Sequence, residues 1–260
     1  MDRRNTLSVL IALLLSLIFT GMARAVSSVY ATATADWTNF AESMPVDYYD
    51  QYSIPIAEAE RNEVRAPQVR NDLRAWGTVS SLNTLPNTSG YAATTADTLS
   101  IEASALADGI TAYQSFSSGF ISRGGYFTVR ENGILNFTVP YSFYHEFDQG
   151  LPTDGVNSYA LAKIWVAEDL GAGQTTILGE KTIDFFRSNL TETWSADGIL
   201  TLDSGVSVET GKNYVVDFNL FSSAFARTDP IAVIPEPASM VLLSTGLIGG
   251  VLFRRRKRYN

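Results

Sequence analysis

A single histidine and the acids that follow it hold most of the catalytic potential of this sequence. His145 is the only histidine, so a Ser-His-Asp triad would have to use it. Glu146 and Asp148 could serve as the paired carboxylates of a glycosidase. His145 falls on the apolar side of an alternating segment, however, which predicts a packed or rim histidine, and acids at i and i+2 are typical of a solvated face. We therefore predict no catalytic residue and no enzyme activity, with a secreted hydrolase as the weakest alternative.

Metal and cofactor sites are also scarce in the sequence. There is no cysteine, so disulfides and thiolate metal sites are excluded. No phosphate-binding loop, zinc-binding helix or EF-hand spacing occurs. Scattered carboxylates could still hold calcium, and the aspartates available for it are Asp148, Asp154, Asp169, Asp203 and Asp217. Each of these also suits a turn or an exposed face, so we predict no cofactor and no metal-binding residue, with Ca²⁺ left open.

Aromatic side chains offer a different chemistry, the stacking of sugar rings. The densest set is Tyr48, Tyr49 and Tyr52, and the four tryptophans are scattered at Trp37, Trp76, Trp165 and Trp194. Tyrosines grouped in this way commonly cap a hydrophobic core. The same residues therefore support two interpretations, a sugar-binding platform or a capped core.

Alternation of apolar and polar residues predicts the strands that must position these side chains. From Gly133 to Asp148 one apolar set occupies the odd positions: Leu135, Phe137, Val139, Tyr141, Phe143, His145 and Phe147. Period two over this length indicates a strand with one buried and one wet face. Pro140 cannot donate to a ladder, so we expect an edge, a bulge or a bend there. The same alternation recurs over 99–105 and 214–220.

The remaining elements predict the fold class. Further strands are expected near 113–120, 125–130, 158–167, 176–186 and 199–202, and one helix over 56–64. Turn sequences separate the strands at Asp108-Gly109, Glu131-Asn132-Gly133, Asp154-Gly155, Asp197-Gly198 and Ser204-Gly205. Residues 198–225, with a turn at Gly211, resemble the closing hairpin of a sandwich. Residues 26–231 are therefore predicted to form one mainly β domain, an antiparallel β-sandwich of jelly-roll type.

The N-terminus has the three-part layout of a secretory signal peptide. Arg3 and Arg4 precede an apolar core over 7–19, and the small residues Ala23 and Ala25 follow it. This core is shorter than the ~20 residues that a membrane-spanning helix requires, which argues against an uncleaved anchor. We predict a signal peptide over residues 1–25, recognised at Ala23 and Ala25 and removed by signal peptidase.

The other end carries three features in order: Pro235-Glu236-Pro237, an apolar run over 238–253, and the basic cluster Arg254, Arg255, Arg256, Lys257 and Arg258. At ~1.5 Å per residue the apolar run gives about 24 Å of helix, a short transmembrane span. The basic cluster resists translocation and should stay in the cytoplasm. The prolines keep the segment before the helix extended and accessible to a protease. A plain membrane anchor would share the helix and the charges.

In its order and spacing this tail resembles the sorting signal of the PEP-CTERM proteins of Gram-negative bacteria. The resemblance covers 233–259, within a sorting region over 232–260. It implies recognition and removal of the tail near the Pro-Glu-Pro motif by exosortase, an inner-membrane sorting enzyme. It also implies association with exopolysaccharide and with biofilm or floc formation. The expected route is export through the inner membrane, transient anchoring, and delivery to the cell surface or extracellular matrix.

Net charge narrows the possible partners of the exported part. Residues 26–237 hold 11 basic and 26 acidic groups, a net charge of −15, whereas the whole chain has −8. Such an acidic body repels nucleic acid, so we predict no nucleic-acid partner. Two functions of different class remain: a structural or adhesive matrix component associated with exopolysaccharide, or, as the alternative, a carbohydrate-binding module.

Overall fold

A computed structural model describes residues 26–151, 153–188, 191–202 and 205–228, and in this part of the chain every regular element is a β-strand. The strands are β1 (Ser27–Asp36), β2 (Ala41–Glu42), β3 (Val46–Arg61), β4 (Val64–Arg65), β5 (Val69–Arg70), β6 (Val79–Leu85), β7 (Thr88–Thr94), β8 (Thr98–Ala107), β9 (Gln114–Val129), β10 (Gly133–Leu135), β11 (Phe137–Asp148), β12 (Gly155–Gly171), β13 (Gln174–Ser188), β14 (Thr193–Thr201), β15 (Val206–Val208) and β16 (Asn213–Arg227). The signal peptide, the Pro-Glu-Pro motif, the apolar run and the basic cluster all lie outside the described residues. Among the residues inside them, no helix is long and apolar enough to span a membrane.

Two large antiparallel sheets hold most of these strands. Sheet A has the order β14-β11-β1-β8-β7-β6, with β2 beside β11. Sheet B has the order β13-β12-β16-β9-β3-β4, with β5 beside β3. A third, two-stranded sheet joins β10 to β15. The predicted mainly β, antiparallel fold is confirmed.

The two large sheets pack face to face around a shared core, because alternate residues of each strand point inward. The odd-numbered set predicted over 133–148 is buried, except that Tyr141 is half-buried, but the structure divides it between β10, which holds Leu135, and β11. Core residues of sheet A such as Ile101 and Phe143 join one cluster with Ile164 and Phe218 of sheet B. This is the sandwich arrangement that the period-two pattern predicts.

One end of the sandwich is narrow, and its core is built largely of small residues: Val29, Ala31, Ala103, Ala105, Ala107, Phe147, Val156, Ala224 and Ala226. Side-chain hydroxyls there reach across to the backbone of the other sheet. Ser115 Oγ donates to the Leu106 carbonyl at 2.7 Å, and Ser117 Oγ donates to the Ser104 carbonyl at 2.9 Å. Gly90 is required by this close approach, because a Cβ on it would lie 2.5 Å from the Glu58 carbonyl oxygen.

The helix predicted over 56–64 is wrong, since most of this segment belongs to β3 and the rest includes β4. Alanine and glutamate there have good helix propensity, but Ala57 and Ala59 alternate with polar residues and are fully buried under sheet A. Ile56 to Arg61 also pair residue by residue with β9. Tertiary burial therefore overrides the local preference.

The turn predicted at Asp197-Gly198 is also wrong, because both residues lie within β14 and pair with Ser142 and Tyr141 of β11. The glycine makes room for an aromatic ring instead: a Cβ on Gly198 would lie 2.9 Å from Tyr141 Oη. Strands predicted separately near 113–120 and 125–130 form the single strand β9.

The discontinuity predicted at Pro140 is confirmed. On one side β11 pairs with β1 from Tyr141 onward and with β2 at Phe137 and Thr138, so Pro140 lies in the gap between these partners. On its other side β11 pairs without interruption with β14. The missing amide proton of Pro140 therefore falls next to a break in the ladder.

Candidate functional site

His145 lies on the inner face of β11 and is fully buried. Its Nδ1 is 2.6 Å from Ser158 Oγ on β12, and its ring packs 5.2 Å from Trp194. Burial, together with a smaller effect of the charge of Arg187, lowers the pKa of His145 to about 4. Ser158 is fully buried as well, so this Ser-His pair offers no surface to a substrate. The prediction of a packed histidine is confirmed.

The other acids of the predicted sites lie in different surroundings. Glu146 and Asp148 are exposed on the outer face of β11. Asp154 is buried at the narrow end, where Ser27 and Thr228 donate hydrogen bonds to its carboxylate at 2.6 and 2.7 Å. Across the described ranges no three His, Cys, Asp or Glu side chains group as metal ligands, and Asp203 lies outside them. The prediction of no cofactor, with Ca²⁺ left open, stays a prediction.

Several of the aromatic residues considered for sugar stacking belong to the core. Trp37 is buried, and Tyr48 packs against Trp76 with ring centroids 4.7 Å apart. Trp194 is half-buried and its ring is covered by the guanidinium of Arg187 at 4.5 Å. These four aromatic residues therefore do not form a sugar platform.

The remaining candidates come together on the outer face of sheet B. Tyr49 and Tyr126 face each other from β3 and β9 with ring centroids 5.9 Å apart. Tyr52 also faces outward, because a bulge inserts one residue between Tyr49 and Tyr52 relative to β9. Asp50, within this bulge, has a φ of 45°. Two tyrosines three positions apart thus reach the same side of the sheet, and Trp165 of β12 joins them there.

Asp217 of β16 is the polar centre of this face. Ser122 Oγ donates to its Oδ1 at 2.8 Å, and Asn219 Nδ2 donates to its Oδ2 at 3.4 Å. Burial raises the pKa of Asp217 to about 6, while hydrogen bonds from Ser122, Asn219, Tyr52 and Trp165 act to lower it. Asp217 is 7% exposed. Its carboxylate therefore accepts hydrogen bonds from the Tyr52 hydroxyl and the Trp165 indole, which orients both aromatic side chains.

Apolar side chains continue the face beyond this polar centre. Strand register places a row directly across four strands: Ile56, Phe120, Phe221 and Leu161. Tyr159 packs against Phe221 with centroids 5.8 Å apart. These five side chains are half-buried. We call the outward residues Tyr49, Tyr52, Ile56, Phe120, Tyr126, Tyr159, Leu161, Trp165, Asp217 and Phe221 the aromatic face.

The aromatic face was only partly predictable. Tyr49, Tyr52, Trp165 and Asp217 were all candidates, but for two different sites. Phe120 and Phe221 were not among the candidates, because the alternation over 214–220 predicts the buried set of β16 and does not mark the outward residues as a site. The signal was present as aromatic residues at positions of opposite parity to the core residues Ile121 and Leu220.

Comparisons with known proteins bear mainly on the C-terminal tail. No curated protein sequence matches the chain significantly. The tandem CBM22 domain of Paenibacillus barcinonensis Xyn10C is 7% identical with a TM-score of 0.14, over 79% of each chain. A type II secretion system outer membrane complex of Klebsiella pneumoniae is 8% identical with a TM-score of 0.10, over 98% of this chain and 47% of that chain. Neither likeness carries an inference about fold or function.

Residues 233–257 match the PEP-CTERM protein-sorting motif. The match includes Pro235-Glu236-Pro237 and the basic cluster as far as Lys257, and Arg258 falls just beyond it. The resemblance stated from the tail is thereby confirmed. This motif implies processing by exosortase, a membrane enzyme, and indicates export to the cell surface. Residues 233–257 are therefore a PEP-CTERM protein-sorting motif, which indicates a secreted protein that is handled at the membrane and exported to the cell surface.

Proposed function

We propose that this protein is a surface or matrix component whose sandwich domain binds extracellular polysaccharide through the aromatic face. The observation that carries the proposal is the combination of outward aromatic rings with a buried carboxylate at their centre. Sugar rings present apolar faces that stack on aromatic side chains, and hydroxyls that need hydrogen-bond partners. The aromatic face supplies both kinds of group. The proposal joins the carbohydrate-binding hypothesis to the structural and adhesive one.

Charge defines which polysaccharides suit this protein. Residues 26–237 carry a net charge of −15, and Asp217 lies at the centre of the aromatic face. A uronate or sulfate polymer would be repelled by this field. Neutral or cationic polysaccharides are therefore the expected ligands.

The proposed export and processing of this protein begin with removal of the signal peptide after Ala25 by signal peptidase. Ser27, the first residue of β1, is fully buried and hydrogen-bonded to Asp154, which supports a mature domain beginning at Val26. Transient anchoring by the apolar run 238–253 would follow, and then release into the matrix of a Gram-negative bacterium. An association with biofilm exopolysaccharide belongs to the same proposal.

A jelly-roll topology is the fold that we infer with this function. Four strands of sheet A have the order β8-β1-β11-β14, and four of sheet B have the order β9-β16-β12-β13. From β8 onward the chain passes repeatedly from one large sheet to the other. These crossings lie between β8 and β9, β9 and β11, β11 and β12, β13 and β14, and β14 and β16. Two four-stranded sheets with repeated crossovers support the double Greek key of a jelly roll. Strands β3, β6 and β7 extend both sheets.

Polysaccharide binding can be tested with the full-length protein in mild detergent on a glycan array and in pull-downs with insoluble polysaccharides. Trp165→Ala and Tyr49→Ala should each weaken binding by about tenfold, since the loss of one stacked aromatic removes roughly 1–2 kcal/mol. Tyr113→Ala is the matched control, because Tyr113 and Tyr49 are both 37% exposed. Equal binding by all of these variants, or no retained glycan, would contradict the proposal.

A further inference from the structure

An open depression of about 500 Å³ lies on the outer face of sheet A. Strand register places five of the residues that line it directly opposite one another in one transverse row: Thr84, Ser89, Ser104, Tyr30 and Glu146. Four strand spacings of ~4.8 Å make this row about 19 Å long. The depression is therefore elongated across the strands, as an extended ligand would require.

Hydroxyl groups form the middle of the row. Ser89 Oγ and Ser104 Oγ are 2.8 Å apart and share one hydrogen bond. Each hydroxyl has one donor and two acceptor positions, so the pair retains hydrogen-bonding capacity for a ligand. Leu85 and Leu106 add apolar surface beside them. This part of the depression fits a ligand with both hydroxyls and apolar faces.

A second carboxylate, Glu102, and a second tyrosine, Tyr144, lie in the neighbouring transverse row, beside the Tyr30 and Glu146 end of this one. Tyr144 Oη donates to Glu146 Oε2 at 3.3 Å, and the rings of Tyr30 and Tyr144 meet edge to face at 6.5 Å. Burial raises the pKa of Tyr30, and the charges of Glu102 and Glu146 raise it further, so both acids act on this ring. Neither acid forms any of the ion pairs found among the described residues. Among the described residues, therefore, no ion pair neutralises the negative charge of these two acids beside the Tyr30 ring.

We propose that this depression binds an amino-sugar oligosaccharide through its free amino groups. The ammonium group would sit at Glu146 and Glu102 against the Tyr30 ring, where carboxylates and an aromatic face both attract a cation. Sugar hydroxyls would extend along Ser104 and Ser89. A neutral glycan leaves the carboxylates without a counter-charge, and a lysine side chain has no hydroxyls for the serines. This site lies on the opposite side of the sandwich from the aromatic face and does not depend on it.

The test compares two matched ligands on the full-length protein in mild detergent by isothermal titration calorimetry. One is the tetrasaccharide of glucosamine, and the other is its fully N-acetylated counterpart. The glucosamine form should bind at least about tenfold more tightly, because only it carries the cation. Glu146→Gln should abolish that preference. Glu192→Gln, which removes an exposed acid between β13 and β14, should leave it unchanged.

Several results of this titration would overturn the proposal. Equal affinity for the two tetrasaccharides, or binding of neither, overturns it. Equal weakening by Glu146→Gln and Glu192→Gln also overturns it, because that result shows attraction by net charge alone. Tyr30→Ala should weaken the glucosamine tetrasaccharide, and unaltered affinity would be contrary to the proposal. Trp165→Ala should not change the preference for the glucosamine tetrasaccharide, because Trp165 lies on the aromatic face. A failure of glycan binding at the aromatic face can therefore be distinguished from a failure at this depression.

Discussion

Two buried titratable side chains, His145 and Asp217, have pKa values shifted by burial. For His145 the folded-state pKa falls from 6.5 to about 4, and for Asp217 it rises from 3.8 to about 6. In each case burial favours the neutral form, because a charge is poorly solvated inside the protein. The consequences for stability are opposite in sign. Unfolding exposes a histidine that takes up a proton below pH 6.5 and an aspartate that releases one above pH 3.8.

The His145 contribution predicts a loss of stability on acidification. Because the unfolded chain binds a proton at this site between about pH 6.5 and 4 and the folded protein does not, the free energy of unfolding falls through that window by about 2–3 kcal/mol. Comparing the full-length protein with His145→Gln by urea unfolding from pH 7 to 4 isolates the effect from that of Asp217. The difference in stability between the two proteins should shrink as pH falls. A difference that stays constant with pH would refute the interpretation.

At the scale of the elements, the bulge in β3 and Gly124 of β9 together shape the aromatic face. The bulge turns Tyr52 outward, and Gly124 opposite it leaves space for the phenol ring. Tyr52 then reaches Asp217, which lies across from Gly124 on β16. The bulge and the absence of a side chain at Gly124 therefore place the Tyr52 ring on the outer face. Regular alternation along β3 would have directed it inward.

This arrangement predicts unequal effects of alanine at two neighbouring glycines. A Cβ on Gly124 would clash with the Val216 carbonyl oxygen of β16 and would lie 2.6 Å from Tyr52 Oη, so Gly124→Ala should strain the strand pairing, displace the ring and lower stability by about 1–3 kcal/mol. Gly125→Ala is the control, since its Cβ would first meet the flexible Gln51 side chain at 3.3 Å. Thermal unfolding measures stability, and tyrosine fluorescence reports the ring. If Gly125→Ala proves as damaging as Gly124→Ala, the proposed role of Gly124 is wrong.

At the scale of the whole molecule, sorting and binding are assigned to separate parts of the chain. The sorting motif occupies residues 233–257, and the two proposed binding surfaces occupy opposite outer faces of the sandwich. Two opposed faces would let one domain bridge two polysaccharide chains. Removal of the tail would then release a cross-linking component into the matrix.

The assignment of the tail predicts how processing responds to mutation. Replacing Pro235, Glu236 and Pro237 by alanines should leave the protein unprocessed and in the membrane fraction, because the residues that define the sorting motif would be missing. Triple alanine replacement of residues 229–231, just before the matched motif, is the control and should be processed normally. Immunoblots of membrane and medium fractions give the readout. Normal maturation of the Pro-Glu-Pro variant would mean that the tail is a simple anchor.

Export and strand pattern could be read locally, because each depends on a short run of residues. The sorting tail is a linear signal, and period two in β8 and β11 appears wherever one side of a strand is apolar and the other polar. The same locality explains the packed position of His145, whose odd-numbered neighbours Phe143 and Phe147 are apolar. It also explains the error over 56–64, where alanine and glutamate favour a helix but pairing with β9 imposes a strand.

Only the tertiary structure decided which aromatic residues face outward. Strands β9 and β16 carry aromatic residues on both faces, and the alternation over 214–220 predicts the buried set of β16 without saying what lies on the other face. The bulge before Tyr52 changes the parity of β3, and it exists only relative to the partner strand β9. Trp37 and Trp76 fill the core while Trp165 reaches the outer face, although all three are tryptophans on or between strands. The physical reason is that a side chain's exposure depends on the packing of a second sheet, and local residues do not encode that packing.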